Sequence, residues 1–247
     1  MTFYNRDIER NVLKNYVRYN QRLNIIFSGK GYGKTEMIKY VLNEECGLNY
    51  INVNPIELVF DEYAPDFFFI KEIAKSISNS IPKQYHDSKL LSIYERIPEL
   101  QFGISFGIVE LGKNIGIVKN LLKQSIITTL NIFSEKVYLH IENSEKIDKD
   151  SLKFLIQLIN ETTNVNIFLE CTCNDDFCYD INEFFIKNLV KPYCYNLPKM
   201  EWSYVECILH DYNISLPYDS KSEYNGNIKA LIINNLHHYE IKLEDNE

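Results

Sequence analysis

Ser28-Gly29-Lys30-Gly31-Tyr32-Gly33-Lys34-Thr35 is the run whose residue types and spacing carry the most chemistry in this chain. Glycines let a backbone curl until several N–H groups face one anion. A lysine and a hydroxyl residue closing such a run supply a cation for the β- and γ-phosphates of a nucleotide and an oxygen for Mg²⁺. Leu23–Phe27 before it reads as a buried strand, and Glu36 to Asn43 after it reads as helix. In that strand–loop–helix setting the positive helix end adds to the anion seat. The complete phosphate-loop pattern has glycine five residues before Gly33, and Ser28 stands there instead. Gly29, Lys30, Gly31, Tyr32, Gly33 and Glu36 are the expected loop and flanking contributors, Lys34 the phosphate cation, and Thr35 the Mg²⁺ ligand.

Hydrolysis needs more than a phosphate cradle: an acid that supports the metal and a group that orients water. Val137–Ile141 reads as a strand and ends in Glu142-Asn143, where proteins of this kind place Asp then Glu. Glu142 suits a metal-bound water or the role of base, whereas Asn143 orients water but cannot take a proton as a carboxylate does. Slow turnover is the natural consequence, and a plain strand end with a capping loop would use the same residues. The next apolar strand closes on Thr172-Cys173-Asn174-Asp175. Asn174 is the candidate to touch the attacking water or the γ-phosphate, with Thr172 the alternative, although turns also favour Asn and Asp. His140 faces the sheet by strand alternation and reads as a core histidine.

Two other patterns carry less. Gly103-Ile104-Ser105-Phe106-Gly107 spells G-x-S-x-G, but a hydrolase needs a strand-to-helix elbow there, and residues 99–109 alternate as a hairpin would. Cys46, Cys171, Cys173, Cys178, Cys194 and Cys207 lack paired zinc spacing, which reads as reduced thiols rather than a metal site.

The elements that must position these residues alternate between strand and helix, the pattern of a mostly parallel α/β sheet covered on both faces. Strands are expected at 23–28, 49–53, 136–141, 165–171 and 193–197, and helices at 6–19, 34–44, 66–80, 115–133, 150–161 and 180–190, the fifth capped by Asp150 or Ser151. A core over 1–197 and a small helical appendage with an acidic tail over 198–247 follow from the punctuation at Leu197-Pro198. With 45% hydrophobic and 24% charged residues the chain is globular rather than disordered. No apolar stretch approaches the ~20 residues of a membrane span, and the start lacks a signal-peptide layout, so a cytoplasmic protein is expected. A formal charge of −8 argues against a surface broadly dedicated to nucleic acid.

Phe3-Tyr4-Asn5-Arg6-Asp7-Ile8-Glu9, a helix and then the phosphate loop together resemble the opening of origin-recognition-type AAA+ proteins, archaeal-type ATPases and STAND signalling ATPases. The resemblance implies an ASCE-type sheet with a helical lid and an adenine pocket framed by Tyr4, Arg6 and Asp7. It further implies sensor 1 at Asn174 and sensor 2 at Lys229, within Gly226-Asn227-Ile228-Lys229-Ala230-Leu231. The departures are Ser28 for glycine, Glu142-Asn143 for Asp-Glu and Lys229 for arginine. The arginines are Arg6, Arg10, Arg18, Arg22 and Arg96, so none follows the Glu142 strand to serve as a trans-acting finger. What this implies is an ATP- and Mg²⁺-dependent switch, slow on its own, within a multi-protein complex whose partner supplies the missing group; bacterial or phage conflict is one setting. The alternatives are a DNA-directed loader or transposition-type ATPase, against which the negative charge counts, and a nucleotide-bound scaffold without hydrolysis.

Overall fold

The computed structural model describes residues 6–54, 65–87, 108–172, 175–211, 214, 220–228, 230 and 231. Tyr4, Asn174 and Lys229 lie outside the described residues, as do the G-x-S-x-G run and the rest of 99–107. Five strands form one sheet: β1 (Leu23–Ser28), β2 (Tyr50–Val53), β3 (Val137–Ile141), β4 (Val165–Thr172) and β5 (Tyr193–Asn196). Their order is β2-β3-β4-β1-β5 and every pairing is parallel. Each strand falls on an expected apolar run to within a residue at either end. All six residues of β1 are buried, as a strand covered on both faces requires.

The helices are α1 (Asp7–Arg18), α2 (Lys34–Tyr40), α3 (Pro65–Ser80), α4 (Ile108–Ile132), α5 (Lys149–Glu161), α6 (Asp175–Lys187), α7 (Trp202–Asp211) and α8 (Ser220–Glu223). α2 runs directly into a π turn, Val41–Glu45, so one helical segment extends from Lys34 to Glu45. Two helices, α4 and α6, start well before their expected bounds. Ile108 and Val109, the end of the alternating run, open α4, because Leu111, Ile115, Val118 and Leu122 extend a helical period back through them. α6 begins at Asp175, where two acids favour a helix start. The cap of α5 is Asp148 rather than Asp150 or Ser151: its carboxylate accepts from the Asp150 and Ser151 backbone N–H groups at 2.8 and 3.0 Å. Among the described residues, no helix is long and apolar enough to cross a membrane.

Side chains alternate between two cores. On one face Ile26, Tyr138 and Phe168 pack with Leu13 of α1 and Met37, Ile38, Val41 and Leu42 of the α2 segment. On the other, Ile25, Leu139, Ile167 and Leu169 meet Ile70, Ile73 and Ile77 of α3, Leu122 and Ile126 of α4, and Phe154 and Leu158 of α5. A third, small cluster joins Val205, Leu209, Tyr224 and Leu231 beyond the sheet. At the amino-terminal end of the strands Arg22 forks onto the carbonyls of Val165, Ile159 and Thr162 at 2.6, 2.9 and 2.9 Å, tying the end of α5 to the start of β4. All five strands point the same way, so the loop after β1 and Glu142 after β3 lie on one edge of the sheet, with β4 between them.

Phe154 is fully buried. Phe154→Ala removes a large side chain from a packed layer and is expected to cost about 3–5 kcal/mol of stability. Urea denaturation checks this as a lowered midpoint with an unchanged far-UV spectrum before the transition.

Candidate functional site

The loop after β1 turns through two left-handed glycines, Gly31 at φ 80° and Gly33 at φ 83°. Gly33 is the N-cap of α2 and provides no side-chain acceptor for the helix's first N–H groups. Lys34, only 4% exposed, folds back over the loop. Its ammonium donates to the Ser28 hydroxyl at 3.0 Å and to the Ser28 and Gly29 carbonyls at 3.3 and 3.1 Å. Ser28, standing where the pattern has glycine, thus serves as a partner for the lysine. Burial pushes the Lys34 ammonium below the usual lysine value, opposed by the charges of Glu170 and Glu145. Lys30 lies within the loop, and Glu36 is in the first turn of α2.

The Thr35 hydroxyl meets a carboxylate from the middle of the sheet. Its Oγ1 lies 2.7 Å from both Glu170 oxygens and donates to that carboxylate. Glu170 is on β4, 6% exposed, and His140 Nε2 of β3 lies 3.3 Å from its Oε2. Ile26, Glu170 and Phe168 share the sheet face that α2 covers, which brings this acid beneath the helix's first turn. His140 is therefore buried as expected of a core residue, and it also touches the acid beside Thr35.

Glu142 is placed differently. Its Oε1 accepts from Asn52 Nδ2 at 2.9 Å and lies 3.0 Å from Lys39 Nζ, one helical turn beyond Thr35. Burial alone would raise the Glu142 carboxyl, but the hydrogen bonds from Lys39 and Asn52 and the lysine charge hold it below the usual carboxylate range. Asn143 adopts a left-handed conformation at φ 49° and donates to Asn54 Oδ1 at 3.1 Å. It begins the turn Ser144–Lys146, which folds over the end of β4. There Ser144 Oγ donates to the Glu170 carbonyl and Glu145 accepts from the Thr172 N–H, both at 2.9 Å.

Arg6 is buried at 3% exposure. Its guanidinium donates to the Pro198 carbonyl at 2.7 Å and to the Tyr32 carbonyl at 3.0 Å, so it ties the start of α1 and the segment after β5 to the loop. Arg6 also lines a cavity of about 370 Å³ with Asp7, Ile8, Pro198, Met200 and Tyr204. The 224–228 segment closes on the loop as well. A Cβ built on Gly226, at φ 109°, would stand 2.0 Å from the Tyr32 ring, and one on Gly31 would stand 2.2 Å from the Asn227 side chain.

The structure therefore gathers Ser28 to Thr35, Arg6, Glu145, Glu170 and Asn227 around one loop, and sets Glu142 and Asn143 to the side against Lys39, Asn52 and Asn54. Glu170, Glu145 and the Gly226–Asn227 contact escape a motif search. For Glu170 a signal existed: a lone carboxylate in the apolar run Val165–Cys171 occupies a position where charge is rare unless it has a partner.

No protein-family model matches the chain, and no curated protein sequence matches it. Among solved structures the chain is similar to one described as the structure of the Aeropyrum pernix ORC2 protein in ADPNP–ADP complexes, at 10% identity and a TM-score of 0.49. The match covers 83% of this chain and 49% of that one, so the chain spans about half the length of that protein. At that identity no residue role is carried across, and the contacts above stand on their own.

Two outcomes follow from this geometry. Gly226→Ala forces a methyl into the Tyr32 ring at a positive φ and is expected to cost about 1–3 kcal/mol. Denaturation of Gly226→Ala, Tyr32→Ala and the double variant checks it, the double costing less than the sum of the singles. Glu142 has a native pKa below its unfolded value of 4.5. Its contribution is fully present above that value and fades as pH falls through the lower native pKa. The stability gap between wild type and Glu142→Gln, measured by urea at several pH values, is therefore expected to narrow below about pH 4.5.

Proposed function

We propose that this chain binds ATP with Mg²⁺ and acts as a slowly hydrolysing AAA+/STAND-like switch, working in the cytoplasm as one component of a multi-protein complex. The observation that carries the reading is the Lys34 ammonium, buried within the curl of Ser28–Gly33 and held by two carbonyls and a hydroxyl. A buried cation on a loop that turns through two left-handed glycines into a helix start without a side-chain cap suits a polyanion, and a phosphate oxygen can replace the carbonyl partners. Gly29 to Gly33, Lys30 among them, would cradle the phosphates with backbone N–H groups, with Glu36 in the helix turn that follows.

The residues present fit Mg²⁺. This ion takes few protein ligands, all oxygen, and leaves the rest to phosphate and water. Thr35 supplies a hydroxyl whose proton goes to a carboxylate, so its oxygen keeps lone pairs that a cation can take. Bound there, the ion would neutralise charge on the phosphates. Arg6 and the cavity it shares with Ile8, Pro198, Met200 and Tyr204 offer room for the nucleoside, with Tyr4 and Lys229 as further candidates from the resemblance. Glu142, Asn143 and Asn174 remain the candidates for orienting water.

A partner supplying an arginine agrees with how the described arginines are used. Arg6 and Arg22 hold backbone carbonyls, Arg10 pairs with Asp7 and Glu45, and Arg18 lies over the Tyr19 ring. A second reading, a nucleotide-bound scaffold without hydrolysis, is favoured by the pairing of Glu142 with Lys39 and Asn52.

Binding of Mg·ATP by calorimetry, with single-turnover hydrolysis, tests both readings. Lys34→Ala is expected to weaken ATP binding by about 10–100-fold, the loss of a charge-assisted contact worth about 1.5–3 kcal/mol. Slow hydrolysis by the wild type that disappears in Glu142→Gln supports the switch, whereas tight binding with no turnover selects the scaffold. No binding by the wild type, alone or with its complex, overturns the nucleotide reading.

A further inference from the structure

We infer that Glu170 on β4, rather than Glu142 just after β3, is the carboxylate that supports the divalent cation at Thr35; this rests on the nucleotide reading above. Three observations meet on it. Glu170 is the acid in contact with the Thr35 hydroxyl, with both oxygens at 2.7 Å. A hydroxyl has one proton and two lone pairs, so it can donate to a carboxylate while a metal takes its oxygen from the other side. The acid that receives that proton is then beside the metal or its bound waters.

The second observation is electrostatic. Glu170 is 6% exposed, and among the described residues the basic side chain within ion-pair reach is the His140 ring at 3.3 Å. A buried carboxylate without a full cationic partner is costly, and a divalent ion at Thr35 supplies the missing charge. The Lys34 ammonium senses Glu170 but is held by Ser28 and Gly29.

The third is topological. β4 is the hydrogen-bonded neighbour of β1, with Glu170 in register with Ile26, two residues before the loop begins. β3 lies beyond β4, two strands from β1, or about 10 Å away at the usual spacing of about 4.8 Å. From there Glu142 reaches α2 at Lys39, a turn past Thr35, and its carboxylate is engaged. His140 then positions Glu170 from the β3 side.

The test is Mn²⁺ binding to the protein–ADPNP complex, followed by electron paramagnetic resonance, together with the metal-free ADPNP affinity of each variant. E170Q keeps the shape and one acceptor for Thr35, so its metal-free nucleotide affinity is expected to match the wild type, which also reports a folded loop. Its Mn²⁺ affinity is expected to fall about 10–100-fold, the usual loss when a carboxylate supporting a metal is removed. E142Q is expected to leave Mn²⁺ affinity within about twofold, far short of that loss. Should E170Q fail to fold, E170D retains the charge one methylene further from Thr35 and is expected to show a smaller loss of the same kind. Undiminished Mn²⁺ affinity in E170Q or E170D, or a loss confined to E142Q, overturns the assignment while leaving nucleotide binding intact. A wild type that binds no ADPNP overturns the nucleotide reading, and this assignment with it.

Discussion

A carboxylate buried in the middle of a parallel sheet must be satisfied from above and from the sides, and that requirement organises the loop end of this molecule. Glu170 sits beneath the first turn of α2, and Thr35 answers it from the helix while His140 answers it from β3. The backbone of the same residue is held by Ser144 in the turn that follows β3. Three segments distant in sequence are thus aligned through one acidic side chain and its own carbonyl. Unpaired buried charge is expensive enough to decide such arrangements, and here it fixes where α2 begins relative to the sheet. The loop before Thr35 inherits that placement, and Lys34 is left with its own loop's oxygens as partners.

The fold was open to reading from the chain because the strands at the centre of the sheet are largely apolar runs, and β1, buried on both faces, is the clearest. The loop was open to reading because its glycines are required: Gly31 and Gly33 stand at φ values that other residues rarely adopt. Glu142 could be recognised as an acid at a strand end, but not what it would meet. Its partner Lys39 depends on the rotation of α2 over the sheet, and that rotation is settled by Thr35 meeting Glu170. Glu170 itself hid in a strand whose neighbours are apolar, and its importance comes from strand order, which periodicity does not carry. The cap of α5 shows the same limit at short range: Asp148, Asp150 and Ser151 all suit the role, and only the backbone turn selects Asp148.

Among the described residues, specific contacts tie the segment beyond β5 to the rest. Arg6 binds the carbonyls of Tyr32 and Pro198 with one guanidinium, and Gly226 admits the Tyr32 ring. A planar fork with several donors can hold two carbonyls at once, which an ammonium on a flexible stem does less well. Tyr32 accordingly has its backbone anchored from one end of the chain and its ring covered from the other.

The place of β1 between β4 and β5 also bears on how the molecule is made. Synthesis delivers β1 first among the strands, yet both of its partners come last, Val165–Thr172 and Tyr193–Asn196. While the nascent chain lengthens on the ribosome, β2 and β3 can already pair with each other, but β1 keeps two open edges. The glycine loop has no floor until β4 arrives with Glu170, and no clamp until Pro198 follows. Its shape is therefore a late event of biogenesis, and an incomplete chain carries the loop's residues without its architecture.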